Sequence, residues 1–127
     1  MNAACPLCGV WEREPQNVFY QDEHFAVVRT KYLKGHRERL MVVWKRHEAL
    51  IPAEARERAL RVLEEVGRRA FAYTWKFVIM EGNLAREATV RDHWHLIASD
   101  LDPHAQDFER VLSIPWIRVV HLEKDGV

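Results

Sequence analysis

One long amphipathic run constrains most of what this chain can fold into. From Pro52 to about Tyr73 the apolar positions Ala59, Leu63, Val66, Ala70 and Tyr73 recur at steps of four and three residues. That spacing lines one stripe of an α-helix. Glu54/Arg58, Glu57/Arg61, Glu64/Arg68 and Glu65/Arg69 lie opposite it, each in the acid-first i,i+4 order that supports a helix by about 0.2–0.5 kcal/mol per pair. Pro52 stands where a first helical turn tolerates proline, because its missing N–H would go unpaired there anyway. A charge run with its signs paired in this way reads as a solvated helix face, not as a nucleic-acid surface. The stripe is wide enough to pack on a sheet and shows no surplus for a second partner, so the remaining segments must supply that sheet.

They do so in short pieces. Residues 18–20 and 24–28 read as two strands around the polar turn Gln21-Asp22-Glu23, a hairpin signal. Residues 40–44 form a compact Val-rich run, the pattern of a buried strand. Residues 76–80 read as another strand, turned by Gly82-Asn83 into a polar loop that ends near Arg91. Residues 93–98 follow as a strand with Trp94, Leu96 and Ala98 on one face and His93, His95 and Ile97 on the other. Pro103 opens a predicted short helix carrying Phe108, Val111 and Leu112, and residues 117–122 read as a last strand. The expectation is a single α+β domain over residues 1–127, with a mainly antiparallel sheet of about five strands, one long helix and one short one.

Composition enters as an exclusion. A chain of 127 residues has room for one core. Nineteen Lys and Arg balance nineteen Asp and Glu, so no global field grips nucleic acid or an anionic membrane, and neither is expected as a partner. The longest uncharged stretch, residues 1–11, is far short of the roughly 18 apolar residues of a membrane span. It also lacks the basic start of a secretory signal. The expectation is therefore a mature chain that begins here and a cytoplasmic location.

The only two cysteines, Cys5 and Cys8, stand in Cys-Pro-Leu-Cys-Gly. Three readings compete. One pair in a chain without a secretory signal makes a poor disulfide framework. A thioredoxin-like redox pair follows a strand and opens a helix, and no strand precedes this one. The third reading is half of a zinc site, a knuckle at residues 5–8 whose Gly9 lets backbone amides turn toward the thiolates. Zinc takes four N or S ligands at tetrahedral angles, so its other ligands would have to come from the seven histidines.

His93-Trp94-His95 is the sharpest local pattern among these. Period two puts both imidazoles on one strand face with Cα atoms about 6–7 Å apart. Leu96-Ile97-Ala98 follows directly, which sets the pair at the edge of a core, where an unbonded ring costs desolvation. Two polar residues on a solvent-facing strand are the plainer alternative. Histidine is also the side chain suited to nucleophilic or proton-transfer work near neutrality. His47 closes the run 40–47 at a strand end, where ligands and catalytic groups collect. His36, after Gly35, reads as a loop residue, and His24, His104 and His121 read as structural.

Together these segments resemble the histidine-triad superfamily of nucleotide hydrolases and transferases. Cys-Pro-Leu-Cys matches its zinc-binding start, and Val-Phe-Tyr-Gln-Asp-Glu-His-Phe-Ala-Val-Val (18–28) is similar to its first hairpin. Gly35-His36 leading to Leu-Met-Val-Val-Trp-Lys-Arg-His (40–47) looks like that family's Gly-His segment and following strand, with about three extra residues between. A long helix, a strand and a loop with Asn83 come next, and Asp-His-Trp-His-Leu-Ile-Ala-Ser (92–99) falls where the histidine motif belongs. The likeness covers roughly residues 5–99.

The family pattern is His-x-His-x-His, and this chain keeps two of the three. In one register Arg91 replaces the first histidine and His93 is the nucleophile. In the other His93 comes first, His95 is the nucleophile and Ile97 replaces the last. Related uridylyltransferases and nucleotide phosphorylases carry His-x-His-x-Gln, and in zinc-bearing branches the first histidine is a metal ligand. The second register is preferred because it completes a ligand set of Cys5, Cys8, His47 and His93.

The resemblance then implies a closed, structural zinc and a catalytic pair His93 and His95. His95 would attack a nucleotide α-phosphate and form a covalent nucleotidyl-histidine, with its other ring nitrogen on a backbone carbonyl. Asn83, Arg91 and His36 would bind substrate. The family also implies a homodimer. Ile97 cannot contact a scissile phosphate as histidine or glutamine does, and losing one such donor costs about 2.7–4 kcal/mol in a transition state. A non-catalytic nucleotide- or protein-binding domain with a structural zinc is the alternative.

Overall fold

The expected hairpin forms, and an aspartate shapes its turn. In the computed structural model, which describes residues 5–30, 36–71, 77–81, 90–101 and 117–120, β1 (Val18–Gln21) pairs antiparallel with β2 (Phe25–Arg29). Asp22 Oδ1 accepts the backbone N–H groups of His24 and Phe25, each at 2.8 Å, the turn-forming use of a short carboxylate. Its Oδ2 accepts from the Tyr20 hydroxyl at 2.7 Å and from Arg58 at 3.3 Å. Burial alone would raise the Asp22 pKa, but the bonds from Tyr20, Phe25 and His24 and the Arg58 charge outweigh it and hold the carboxyl below its ordinary value.

The third strand, β3 (His36–Trp44), starts four residues earlier than its apolar run predicts. It is paired on both sides, which carries polar residues into the ladder. Toward β2 the register runs from Phe25↔Trp44 to Arg29↔Leu40, where Arg29 and Glu38 also form a two-point ion pair at 2.9 and 3.1 Å. Toward β5 (His95–Leu101) it runs from Val43↔His95 to His36↔Leu101. His36 is thus a strand residue and not a loop residue.

With β4 (Phe77–Glu81) and β6 (Ile117–Val120) the sheet has six strands, one at each segment read as a strand though the expected total was about five, in the order β1-β2-β3-β5-β4-β6, and every pairing is antiparallel. The architecture is α+β, as the patterning predicts. A single turn, α1 (Val10–Arg13), precedes the hairpin and was not foreseen. The helix expected after Pro103 lies outside the described residues. Among the described residues no helix is long and apolar enough to cross a membrane.

The long helix, α2 (Ala53–Ala70), follows Pro52, which stands at the cap with φ −57° and ψ 148° rather than inside the first turn. It ends before Tyr73, because Phe71 turns extended and sinks into the core. Ala59, Leu63 and Val66 of the predicted stripe are buried against Phe25, Val27, Leu40, Val42, Trp44, Trp94, Leu96 and Ala98. Alternation along the strands sends Ala26, Val28, Met41 and Val43 to the opposite face, where Cys5, Leu7, Cys8, Val10 and Trp11 cover them. Cross-strand partners share a face. His95, opposite Val43, and Ile97, opposite Met41, therefore belong to this second face.

A candidate metal centre beside His95

The Cys-Pro-Leu-Cys-Gly segment folds into a tight turn that opens α1. Gly9 has φ 70° and ψ 14°, left-handed backbone that any side chain would strain. Arg13 reaches back from α1 to donate to the carbonyls of Pro6, at 2.6 Å, and Cys8. The Lys45 ammonium lies over the Trp11 ring, 5.3 Å from its centroid. The turn is therefore held to the sheet by its apolar residues and braced internally by one arginine.

Two histidines meet these cysteines from other parts of the chain. His47 follows the end of β3, and its Nδ1 is 3.3 Å from Cys8 Sγ. His93 precedes β5, with Nδ1 at 3.4 Å from Cys5 Sγ and 3.5 Å from Cys8 Sγ. One donor atom from each of Cys5, Cys8, His47 and His93 lies within 4.8 Å of all the others, so the set could bind a metal ion. Zinc bonds of about 2.3 Å to sulfur and about 2.0–2.1 Å to nitrogen, at tetrahedral angles, place S and N about 3.6 Å apart. The three S···N distances sit close to that value, which is compatible with zinc.

The outer nitrogens settle which ring atom faces inward. His93 Nε2–H donates to the Trp44 carbonyl at 2.6 Å, and His47 Nε2 lies 3.2 Å from the Asp92 carboxylate. Both rings thus direct an Nδ1 lone pair at the sulfurs, the tautomer a metal ligand needs. Burial lowers the His93 pKa, with the Trp44 carbonyl acting against it, and the ring is neutral near pH 7. Burial raises the Cys5 thiol, against bonds from the Leu7 and Cys8 backbone that lower it. A bound cation would displace that proton.

His93 and His95 do not stand side by side in one strand as period two predicts. His93 falls in the bend before β5, and only His95 enters the ladder. The peptide between His93 and Trp94 is held from outside the sheet, since Trp94 N–H donates to the Glu48 carbonyl at 2.7 Å. On the other side of that peptide the His93 carbonyl accepts Nδ1–H of His95 at 2.9 Å. In the neutral ring that bond leaves Nε2 as the nitrogen without a proton. Both rings are buried, His93 completely.

Of the remaining predicted site residues, the described backbone sets His36 apart from this cluster. His36 pairs with Leu101, seven β3 residues away from Val43, roughly 23 Å along the strand. Arg91 is exposed two residues before His93, and Asn83 lies outside the described residues. His24 stacks on Trp44 with ring centroids 5.9 Å apart, in keeping with a structural role.

Two features escaped sequence reasoning. Asp92 adjoins His93 in sequence but serves His47, and no spacing rule signals that contact. A cleft of about 460 Å³ opens beside the knuckle, with Leu7, Val10, Val28 and Met41 apolar and Glu14, Asn17, Arg29 and Thr30 polar. Its residues come from the knuckle, α1, the stretch between α1 and β1, β2 with the residue after it, and β3, so no single motif marks it. No protein-family profile, curated protein or solved structure matches this chain.

Proposed function

We propose that this chain is a histidine-triad-like enzyme that hydrolyses or transfers nucleotidyl groups, with His95 as nucleophile and a structural zinc on Cys5, Cys8, His47 and His93. The observation that carries the reading is the His95 Nδ1–H bond to the His93 carbonyl, one residue pair away from an assembled ligand set. It supports the register in which the first motif histidine is a ligand and the second keeps a lone pair on Nε2.

That lone pair attacks the α-phosphorus of a bound nucleotide, and a P–N bond forms as the P–O bond to the leaving phosphate breaks. The leaving oxygen departs with the bonding electrons, and the ring, still protonated at Nδ1, becomes cationic. The His93 carbonyl facing Nδ1–H stabilises that charge. Water, or a second substrate hydroxyl, then attacks phosphorus, the P–N bond breaks with its electrons returning to Nε2, and the attacking oxygen's proton passes to solvent, which releases the nucleotidyl group and restores the neutral ring. A zinc ion held by Cys5, Cys8, His47 and His93 would have no open position and would supply rigidity to the knuckle rather than an activated water.

The cleft fits a nucleoside in size and composition. Its Met41 and the Val43 opposite His95 lie on one strand two residues apart, roughly 7 Å. A second reading, a binding domain without catalysis, is favoured by Ile97. That residue packs with the Met41 cluster where the family places a polar contact to phosphate.

Intact mass measurement after incubation with diadenosine polyphosphates tests the proposal. The wild-type chain should gain one acid-labile nucleotidyl group and release mononucleotide, and His95→Ala should do neither. Nucleotide binding without adduct or turnover, unchanged in His95→Ala, would establish the binding domain instead.

A further inference from the structure

The hydrogen bonds around the knuckle form a closed circuit that includes His95. His47 and His93 converge on the Cys8 sulfur, and His93 reaches the Cys5 sulfur as well. The residue after His47 offers its carbonyl to Trp94 N–H, and the same His93–Trp94 peptide offers its carbonyl to the His95 ring. Trp44 closes the loop from β3. Its carbonyl accepts His93 Nε2–H at 2.6 Å, its N–H donates to the Trp94 carbonyl at 3.3 Å, and its indole N–H donates to Glu48 Oε1 at 3.0 Å.

We propose that the four ligand side chains and the His95 ring form one mechanically coupled unit, so that filling the ligand set fixes the tautomer and orientation of an imidazole that is not itself a ligand. The inference rests on the metal reading and on the role of His95 given above. Its physical basis is the position of the His93–Trp94 peptide. That peptide lies before the first ladder residue of β5, so its plane is set by Glu48 on one side and by the anchored His93 ring on the other. Joining His47 and His93 through a common ion would lock the two segments that carry those anchors. Without that link, residues 45–48 and 92–94 keep the thiol–imidazole contacts and the Lys45–Trp11 contact but lose their common bridge to the cysteines, and the acceptor for His95 Nδ1–H is held less firmly, by the bonds to Glu48 and Trp44. A closed metal site could in this way govern an imidazole's reactivity while offering no coordination position to substrate.

Two measurements test the coupling, and neither uses nucleotide. Long-range ¹H–¹⁵N spectra of ¹⁵N-histidine protein report ring tautomers directly. In zinc-loaded protein His95 should show a single Nδ1-protonated pattern, and after chelation an average of both tautomers. Coupling is reciprocal, so the His95 bond must also favour zinc. His95→Ala should bind zinc about five- to tenfold more weakly than wild type in competition with a chromophoric chelator. Val66→Ala, which opens the core on the other face of the sheet, controls for general destabilisation and should bind zinc nearly as wild type does. A His95 pattern indifferent to zinc, or an affinity loss in His95→Ala no larger than in Val66→Ala, overturns the coupling and leaves the nucleotidyl reading standing. A chain that takes up no zinc at all overturns the metal reading and this inference together, while the adduct test above still decides the role of His95.

Discussion

Asp92 shows how much one exposed side chain can do for a candidate ligand set that is buried except at His47. Its carboxyl is 70% exposed, yet it lies 3.2 Å from His47 Nε2 and so determines which nitrogen of that ring turns to Cys8. His93 receives the same service from a backbone carbonyl inside the protein. Outer partners of ligating histidines typically change metal affinity by 10–100-fold, and the exposure of Asp92 places it at the lower end. Asp92→Asn should weaken zinc binding about tenfold, read by chelator competition, with the circular dichroism of the fold unchanged. An affinity equal to wild type would mean that the His47 ring is held by its packing. The four candidate ligands were legible in the sequence, Cys5 and Cys8 through their Cys-x-x-Cys spacing and His47 and His93 through the resemblance to the histidine-triad pattern. Asp92 was not, since its partner stands 45 positions away and the contact depends on how two bends approach each other.

At the level of elements, helix α2 is fixed by its apolar stripe and by a polar tie to the hairpin turn. The stripe was readable because period 3.6 survives in any context, and it went wrong only where Phe71 left the helix to fill the core. The limits of β3 were less legible. Glu38 and Arg39 look like loop residues in isolation and become strand residues through Asp100 and Ser99 across the ladder. The polar tie is Asp22, which serves the turn through two backbone N–H groups and the helix through Arg58. Arg58 is half exposed, so the ion pair itself contributes at most about 1 kcal/mol, and the remaining bonds to the carboxylate carry more. The folded-state pKa of Asp22 is lowered. Its contribution is therefore complete above the ordinary aspartate pKa of about 3.9 and is lost as pH falls through the folded value. Asp22→Asn should lower the thermal midpoint at pH 7, and the difference from wild type should shrink steadily below about pH 4. A gap that stays constant down to pH 2 would show that the substitution acts through shape and not through charge.

Among the described residues the molecule has two cores on the two faces of one sheet, and they are unequal. The face under α2 is closed by a long helix and large apolar side chains. The other is covered by the knuckle and a single turn of helix, an element too short to be stable alone. On this face the proposed zinc would anchor the cover, and a ligand bound only in the folded state stabilises it by mass action. Local stability in such a fold should be graded. After chelation, amide exchange should speed up at Glu12, Arg13 and Glu14, whose N–H groups bond to Gly9 and Val10 carbonyls. Amides in β2, β3 and α2 should keep most of their protection. Restoring zinc should slow the first group again and leave the second nearly unchanged. If α2 instead lost protection together with the knuckle, the two faces would unfold as one cooperative unit. The metal centre would then support the entire fold and not only the face that carries His95.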